Sequence, residues 1–476
     1  MRTRIIAALI KRPIIRVFLV VWLFQVTAAL SQTSPYDADH LSAAFHASKR
    51  EALRNAMPPG TCALLFSNPI RNRTNDVDYQ YVQDPDFYYL TGLTEPASAL
   101  FLFSEPVSWD GIMVNELLFI RDHDALEEMI EGKRAGKAYV RDSLGLLNIA
   151  FNHELDRYFP DLSRMQQVWV KWPADIDPQS SQKNSLNWMV SYARKQFDAA
   201  GITPKSAQLL KALAALRQIK SQEELVLMKK SIGISVEALT KTISSIEPGK
   251  TEYQAQAVAE FYFKYLGAEY PGYGSIAGSG PNSCVLHYTA NRKTLRSGDL
   301  LVMDMGAEYH GYTADITRTV PVNGRFTPEQ KIIYELVLAA QQAAIKLVVA
   351  GKGFNDPHYE AYKIISTGLV RLGIIKSTDE AKAYFPHGTS HYLGLEVHDA
   401  GNYGPLQPGM IITVEPGIYI PEGSPCDPKW WNCGVRIEDD VLVTDNEPVV
   451  LSAGLLVTVE AIEELMSKPA LPEEVK

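Results

Sequence analysis

Four acidic side chains in the second half of the chain could hold metal ions. They are Asp304, Asp315, Glu415 and Glu438. Asp304 lies in the apolar segment 301–305, where a lone charge is poorly solvated. Any one of these residues by itself could be a surface acid or half of an ion pair. As a group, like charges in apolar segments repel one another unless they are protonated, solvated separately or bound to a cation.

Histidines in short motifs of the same half could complete such a site. They are His287, His387, His391 and His398. Lone histidines are more often structural, so their presence does not assign a role to each. One imidazole with four carboxylates is an oxygen-rich set that suits Mn²⁺, Co²⁺ or Zn²⁺ and disfavours copper or an iron–sulfur cluster.

The second half of the chain contains a sequence pattern that occurs twice. Each copy of the pattern predicts two helices followed by a β-hairpin. Capping boxes at Ser221, Thr251 and Thr327 mark three helix starts, and Gly267 and Gly373 mark helix ends. The predicted third and fourth helices reach about Val349 and cover Pro357–Leu372; the predicted hairpin strands are Leu300–Glu308 with Tyr312–Val322, and Met410–Ile420 with Gly434–Thr444.

The hairpins predict where the carboxylates meet. Asp304 and Asp315 are equally spaced from residues 309 and 310, so antiparallel pairing would place them directly opposite each other. Glu415 and Glu438 follow apolar runs in the second hairpin. If the two hairpins share a sheet, all four carboxylates converge.

The first half of the chain, from about residue 36 to 205, mixes strand-like runs such as Cys62–Phe66 and Ala99–Phe103 with helical stretches. The sequence Gly-Ile-Thr-Pro from Gly201 interrupts this pattern. The fold class is therefore α/β (α+β), with an N-terminal mixed α/β domain at residues 32–205 and a duplicated C-terminal domain at 206–476.

Bulk properties limit the possible partners and location. The chain has 476 residues and a net charge of -9, which argues against nucleic-acid binding. Residues 1–31 have the basic, apolar and small-residue order of a signal peptide, which predicts export to a periplasm or the medium. The apolar run Val17–Phe24 is too short to span a bilayer, so no stable membrane insertion is expected after cleavage. Cys426 and Cys433 could close a small disulfide loop.

These motifs together resemble the aminopeptidase P and prolidase family. The resemblance rests on Asp304-Met305-Gly306, Ala314–Arg318, His387–His391 running on to His398-Asp399, Val414–Gly417 and Val435–Glu438, and more loosely on Asp86–Gly92 in the first half. It implies that the second half has the family's pita-bread fold. The family favours Trp where this chain has Tyr88 and Tyr392, a departure expected to affect substrate contacts.

The resemblance implies a role for each motif residue. One divalent metal would be held by Asp304, Asp315 and Glu438, and a second by Asp315, His391, Glu415 and Glu438, with a hydroxide shared between them. Glu415 would move the proton of the attacking water, with a role as metal ligand alone as the alternative. His287, His387, His398 and Tyr88 would contact substrate, and Arg436 and Tyr419 would support the ligands. For Tyr419 a purely structural place in the core is an equal alternative.

The implied activity is metal-dependent hydrolysis of the bond between an N-terminal residue and a following proline, with Mn²⁺ the favoured ion. A prolidase restricted to Xaa-Pro dipeptides and an inactive binding module of the same fold are the alternatives. A methionine aminopeptidase would not need the long first half, and creatinase-like hydrolysis works without metal. The family also implies a homo-oligomer, either a dimer or a tetramer.

Overall fold

The computed structural model describes residues 39–177 and 182–468. The strands of the first half are β1 (Thr61–Phe66), β2 (Asn72–Thr74), β3 (Val77–Asp78), β4 (Ala99–Trp109), β5 (Ile112–Ile120), β6 (Ile149–Phe151) and β7 (Gln167–Lys171). Five of them form one sheet of order β6-β5-β4-β1-β7, and β2 pairs with β3 in a separate hairpin. The helices of the first half are α1 (Ala43–Ala56), α2 (Pro85–Thr91), α3 (Ala125–Glu131), α4 (Gly136–Leu144), α5 (Leu155–Tyr158) and α6 (Leu186–Ala199). The predicted strands at 62–66 and 99–103 are therefore present.

The second half begins after the turn that follows α6 and contains the repeated helix pairs. Its helices are α7 (Ser206–Arg217), α8 (Gln222–Ser245), α9 (Glu252–Tyr265), α10 (Pro328–Ile345), α11 (Asp356–Arg371) and α12 (Val459–Met466). Its first seven strands are β8 (Tyr270–Pro271), β9 (Ile276–Ser279), β10 (Leu300–Asp304), β11 (Ala307–Tyr309), β12 (Tyr312–Thr313), β13 (Thr317–Pro321) and β14 (Ile411–Val414). The others are β15 (Gly417–Ile420), β16 (Cys433–Arg436), β17 (Asp439–Leu442) and β18 (Val449–Val450).

The predicted helix starts are present because local side chains satisfy the first backbone N–H groups. Ser221 N donates to Glu224 Oε2 at 2.9 Å, and Thr327 N donates to Gln330 Oε1 at 3.0 Å. The helix α10 ends at Ile345, four residues before the predicted end. The helix α11 ends one residue before the predicted Leu372.

Each of the four predicted hairpin strands is interrupted, and the acidic residues lie at the interruptions. Asp304 ends β10, Asp315 lies between β12 and β13, Glu415 between β14 and β15, and Glu438 between β16 and β17. An interruption of the ladder allows a side chain to leave the alternating pattern of a regular strand. The breaks therefore direct the acids toward a common centre.

The register of the first hairpin corrects one prediction. Its two-residue turn lies at residues 310–311, both with positive φ (48° and 82°), and Asp304 pairs with Thr317. The prediction that Asp304 and Asp315 lie directly opposite each other is wrong, because it centres the hairpin one residue too early. The same register places Asp315 opposite Gly306. The two acids are thus diagonal neighbours on one face of the hairpin. At this separation both carboxylates can still contact a shared partner.

The two hairpins meet without forming one regular sheet. In the described chain β13 belongs to the sheet β13-β10-β9, whereas β16 pairs with β15. The backbone N–H of Glu438 donates to Thr317 O at 3.1 Å, and the Thr319 hydroxyl donates to Arg436 O at 2.9 Å. The expectation of a shared sheet is corrected in this respect, but the hairpins still bring their acids together.

The two halves share a hydrophobic core. From Leu41 onward the chain forms one compact unit. Phe45 and Tyr89 of the first half belong to the same buried cluster as Leu213 and Leu225 of the second. The first half therefore helps to position the site in the second.

Several further predictions concern the ends of the chain and its cysteines. The predicted signal peptide, residues 1–31, lies outside the described residues. Among the described residues no helix is both long and apolar enough to cross a membrane. All four cysteines are free thiols, so the Cys426–Cys433 disulfide is not formed.

Candidate metal centre

The interrupted hairpins bring acidic and imidazole donors close together. One ligand atom from each of Asp315, His391 and Glu438 lies within 4.8 Å of the others. His391 Nε2 is 3.3 Å from Asp315 Oδ2 and 3.6 Å from Glu415 Oε1. Four of the five predicted ligands thus lie close together, three of them around one possible metal position.

The fifth predicted ligand, Asp304, is joined to this cluster by a tyrosine. The hydroxyl oxygen of Tyr273 lies 2.6 Å from Asp304 Oδ1 and 2.6 Å from Asp315 Oδ1. Arg436 Nη2 donates to the other oxygen of Asp304 at 2.6 Å. Asp304 is therefore oriented from both sides.

Burial of these acids is costly, and their pKa values reflect this cost. Burial raises the pKa of Glu438, with the charges of Asp315 and Glu415 adding to the effect. Burial likewise raises the pKa of Glu415 to about 8. Burial also raises the pKa of Asp304, although Arg436 opposes the shift. Each of these carboxylates would be ionised more easily if a cation lay between them.

The donor set fits divalent cations. It consists of four carboxylates and one imidazole, which suits Mn²⁺, Co²⁺ or Zn²⁺. The Nδ1 atom of His391 lies 3.1 Å from Tyr392 O, so a backbone carbonyl can accept its N–H. The lone pair of Nε2 is then directed toward Asp315 and Glu415, where it could bind a metal, as is usual for a metal-binding histidine.

Two more predicted histidines lie beside this cluster. The ring centroids of His391 and His398 are 4.3 Å apart. The carbonyl oxygen of Leu286, the residue before His287, accepts a hydrogen bond from Arg436 Nη2 at 3.4 Å, so the segment that carries His287 lies beside this region. His287 and His398 are exposed. Their side chains are thus accessible next to the buried acids.

The two predicted supporting residues, Arg436 and Tyr419, form a hydrogen-bonded chain behind the acids together with His387, whose predicted substrate contact stays a prediction. Arg436 Nη1 donates to the Tyr419 hydroxyl at 3.0 Å, and His387 Nε2 lies 2.9 Å from the same hydroxyl. His387 Nδ1 is 3.6 Å from Glu415 Oε2. Tyr419 therefore combines burial in the core with hydrogen bonds to two residues of the site. Burial lowers the pKa of His387 to about 4.

The two tyrosines that depart from the family pattern lie in different places. Tyr392 is completely buried, with its ring centroid 4.8 Å from that of Phe354. It fills the core, so the expected effect on substrate contacts does not apply to its side chain. Tyr88 is partly buried and packs edge-on against His46, with ring centroids 5.8 Å apart. Its substrate role stays a prediction.

Sequence reasoning did not single out three residues that contact the acids. Tyr273 joins Asp304 to Asp315. The Thr317 hydroxyl donates to Glu438 Oε2 at 2.6 Å. Asp440 Oδ2 accepts the backbone N–H of Asp315 at 3.2 Å. Tyr273 lies far from the acids in sequence, so no local pattern signals it. Thr317 and Asp440 lie two residues beyond Asp315 and Glu438, and only the hairpin geometry explains their contacts.

Comparison with known proteins places this geometry in a family. Residues 226–445 match the model of metallopeptidase family M24, and residues 46–169 match the aminopeptidase P N-terminal domain. The chain is 35% identical to the Xaa-Pro aminopeptidase of Escherichia coli K12, over 88% of this chain and 96% of that protein. The chain belongs to metallopeptidase family M24, in its aminopeptidase P branch.

Solved structures of this branch have the same fold. Aminopeptidase PepP of Pseudomonas aeruginosa superposes with a TM-score of 0.80 at 36% identity, covering 90% of this chain and 98% of that one. Zinc-substituted E. coli aminopeptidase P, in complex with product, superposes with a TM-score of 0.80 at 32% identity, covering 91% of this chain and 100% of that one. The predicted family and the predicted fold, an α/β domain followed by a pita-bread domain, are confirmed.

Membership of the M24 aminopeptidase P branch makes this chain a metal-dependent peptide hydrolase, as the sequence predicts. Neither family model covers residues 170–225. The predicted domain boundary at 205/206 lies in this uncovered segment and therefore stays a prediction.

Proposed function

We propose that this protein is a metal-dependent Xaa-Pro aminopeptidase, which hydrolyses the bond between an N-terminal residue and a following proline. The observation that carries the proposal is the group formed by Asp315, His391 and Glu438, in which both acids are buried and the three ligand atoms lie within 4.8 Å of one another. The chain is also similar over nearly its whole length to Xaa-Pro aminopeptidases. The family establishes a divalent metal requirement.

The finer proposal is a site for two divalent ions, with Mn²⁺ favoured over Co²⁺ or Zn²⁺. Asp304, Asp315, His391, Glu415 and Glu438 would hold them. Such ions lower the pKa of a water molecule and stabilise negative charge that develops on a peptide carbonyl oxygen. The clustering of all five side chains supports this assignment.

The surrounding residues would bind the peptide and move protons. The exposed imidazoles of His287 and His398 can hydrogen-bond the peptide unit before the proline. Glu415 is half-buried at the edge of the acids, where its carboxylate can take a proton from water and pass it toward the prolyl nitrogen. Arg436 fixes the orientation of Asp304, and His387 contacts Glu415 and Tyr419. Tyr88 would contribute to the substrate cleft from the first half.

A strict prolidase is a less favoured alternative, since the similar curated proteins are Xaa-Pro aminopeptidases. An inactive binding module is disfavoured by the retention of all five ligand residues. Export to a periplasm or the medium, and assembly into a dimer or tetramer, complete the proposal. The signal-like N-terminus supports the first, and the family resemblance supports the second.

Metal-stripped protein, reloaded with Mn²⁺, Co²⁺ or Zn²⁺, tests the proposed reaction. It would be incubated with a Xaa-Pro dipeptide and with a longer Xaa-Pro-Xaa peptide, and release of the first residue would be measured. We expect metal-dependent cleavage of the longer peptide. Cleavage of the dipeptide alone would identify a prolidase, and no cleavage with any metal would favour the binding module.

A matched pair of variants links the activity to the site. Glu415→Gln should lose most of the activity because the amide cannot accept the proton of the attacking water. Glu422→Gln replaces an exposed acid in the loop after β15 and should leave the rate unchanged. Equal activity of both variants would remove Glu415 from the mechanism.

A further inference from the structure

A buried cluster of ion pairs connects the first half of the chain to the loop that carries His398. At its centre is Arg217, the last residue of α7, which is 2% exposed. Its Nη1 donates to Asp86 Oδ1 at 2.7 Å, and its Nη2 donates to Asp399 Oδ1. Asp86 belongs to α2 of the first half, whereas Asp399 directly follows His398. One guanidinium therefore joins both parts of the protein.

Asp86 and Asp399 each have a second cation, whereas Glu396 pairs with Arg217 Nη2 at 2.8 Å. Lys220 Nζ donates to Asp399 Oδ2 at 2.9 Å, and Lys171 Nζ donates to Asp86 Oδ2 at 2.5 Å. Burial by itself would raise the pKa of Asp399, but Lys220 and Arg217 outweigh it and keep this pKa below its ordinary value. Both oxygens of Asp399 are thus fixed by charged donors, which leaves its side chain little freedom.

Asp399 in turn closes the loop between the two histidines of the site. Its backbone N–H donates to Tyr392 O at 2.8 Å, next to His391. Its carboxylate packs so closely on Gly394 that a Cβ there would lie 2.2 Å from Oδ2. The loop therefore has little room to shift while Asp399 stays in place. A displacement of Asp399 would move the adjacent His398 relative to His391.

We infer that Arg217 is a positioning residue for His398. By bridging Asp86 and Asp399, Arg217 holds His398 at the reaction centre. Because Asp86 lies in the first half of the chain, the position of His398 depends on that half. The inference rests on the proposed function for the role of His398, but the positioning itself does not require catalysis. The aminopeptidase P N-terminal domain would then contribute to the active site through a buried charge as well as by packing.

The variant Arg217→Lys tests the inference. Lysine keeps the charge but cannot donate to Asp86 and Asp399 together with the geometry of a planar fork. Misplacement of a catalytic group by about 1 Å can cost roughly 100-fold in rate. We expect kcat/KM on a Xaa-Pro-Xaa peptide to fall at least about tenfold by this mechanism, with the bound metal per chain unchanged. Unchanged kcat/KM would overturn the inference.

A double-mutant cycle separates positioning from general destabilisation. If Arg217 acts through His398, Arg217→Lys should have almost no further effect in a His398→Ala background. If Arg217→Lys lowered kcat/KM by the same factor in the wild-type and His398→Ala backgrounds, the inference would be contradicted. Asp86→Asn is a milder change at the other end of the bridge, and it is measured in the same cycle. If Arg217→Lys does not fold, the result for Asp86→Asn tests whether the bridge acts through His398.

Hydrogen exchange gives a readout that is independent of activity. In Arg217→Lys, exchange of amides in residues 392–399 should be faster than in the wild type. The matched control is Arg50→Lys, which alters another buried arginine, whose Nε donates to Glu116 Oε2 at 2.8 Å within the first half. This control should change neither the exchange of residues 392–399 nor kcat/KM. Unchanged exchange in Arg217→Lys would sink the inference, whereas an inactive wild type would sink only the proposed function.

Discussion

Asp304 and Asp315 share one hydrogen-bond partner, the hydroxyl of Tyr273, whose oxygen is 2.6 Å from each of them. A hydroxyl has one proton and donates to one carboxylate at a time. The arrangement holds two diagonal neighbours of the first hairpin at a fixed separation. Since Tyr273 comes from the segment between β8 and β9, the geometry of these acids depends on an element outside the hairpin.

Replacement of Tyr273 by Phe should weaken metal binding without removing a predicted ligand. The loss of an outer partner of a ligand typically costs 10–100-fold in metal affinity, and we expect a decrease of about tenfold here. Metal-buffered titration followed by elemental analysis measures it. Tyr192→Phe is the control, since its hydroxyl lies 3.4 Å from Asp156 O, away from the acids. An unchanged affinity in Tyr273→Phe would show that the acids need no such partner.

Divalent metal should stabilise the folded protein. Binding to the native state alone adds about 2.7 kcal/mol at a free concentration 100 times Kd. The thermal midpoint should therefore rise when Mn²⁺ is added to metal-stripped protein. Asp315→Asn should lose most of this rise, whereas Asp445→Asn, at an exposed position, should keep it. A full rise in Asp315→Asn would place the stabilising ion elsewhere.

Glu252 should be important for the segment that carries His287. Its Oε1 accepts hydrogen bonds from Ser279 N, at 2.8 Å, and from Asn282 Nδ2, at 3.0 Å; its Oε2 accepts from the Tyr288 hydroxyl at 3.0 Å. Glu252→Gln turns one acceptor into a donor, so a buried partner loses its hydrogen bond at a cost of about 1–3 kcal/mol.

Chemical denaturation and steady-state kinetics measure the effect of Glu252→Gln. We expect lower unfolding free energy together with a higher KM, because His287 lies within the affected segment. Glu237→Gln, an exposed change on α8, serves as the control. Loss of stability with normal KM would mean that Glu252 supports the fold but not the peptide site.

The acid Glu308 should make stability depend on pH. Burial raises its pKa to about 7, and the nearby charge of Glu269 adds to the shift. Because the pKa of Glu308 is higher in the folded protein than in the unfolded chain, its carboxyl group ionises at a lower pH in the unfolded chain. The free energy of unfolding therefore decreases as pH rises from about 4.5 to 7. Glu308→Gln should therefore gain stability relative to the wild type at pH 8, on the order of 1 kcal/mol.

Denaturant unfolding at pH 5 and pH 8 tests this prediction. Little difference between Glu308→Gln and the wild type is expected at pH 5, since the native carboxyl is then largely protonated. Glu447→Gln, at an exposed position, should show no such pH-dependent gain. A gain of equal size at both pH values would point to packing and not to ionisation.

The family, the helix starts and the candidate site residues could all be predicted from local sequence. Capping boxes are local, so Ser221 and Thr327 could be read without any tertiary information. The five candidate ligands could be named because they stand in short motifs that occur together in one family. In the structure these side chains lie close together, and their role as metal ligands stays a prediction.

The arrangement of these residues could not be predicted from local sequence, because it depends on how separate elements pack. The register of the first hairpin depends on its turn at residues 310–311. Because the sequence prediction centred this hairpin one residue too early, it assigned Asp304 a partner two residues away from the true one, Thr317. The contacts of Tyr273, and the bridge from Asp86 through Arg217 to Asp399, join residues that are 31 to 182 positions apart in sequence. No local pattern encodes such pairs, because they form only when separate elements pack and bury their charges together.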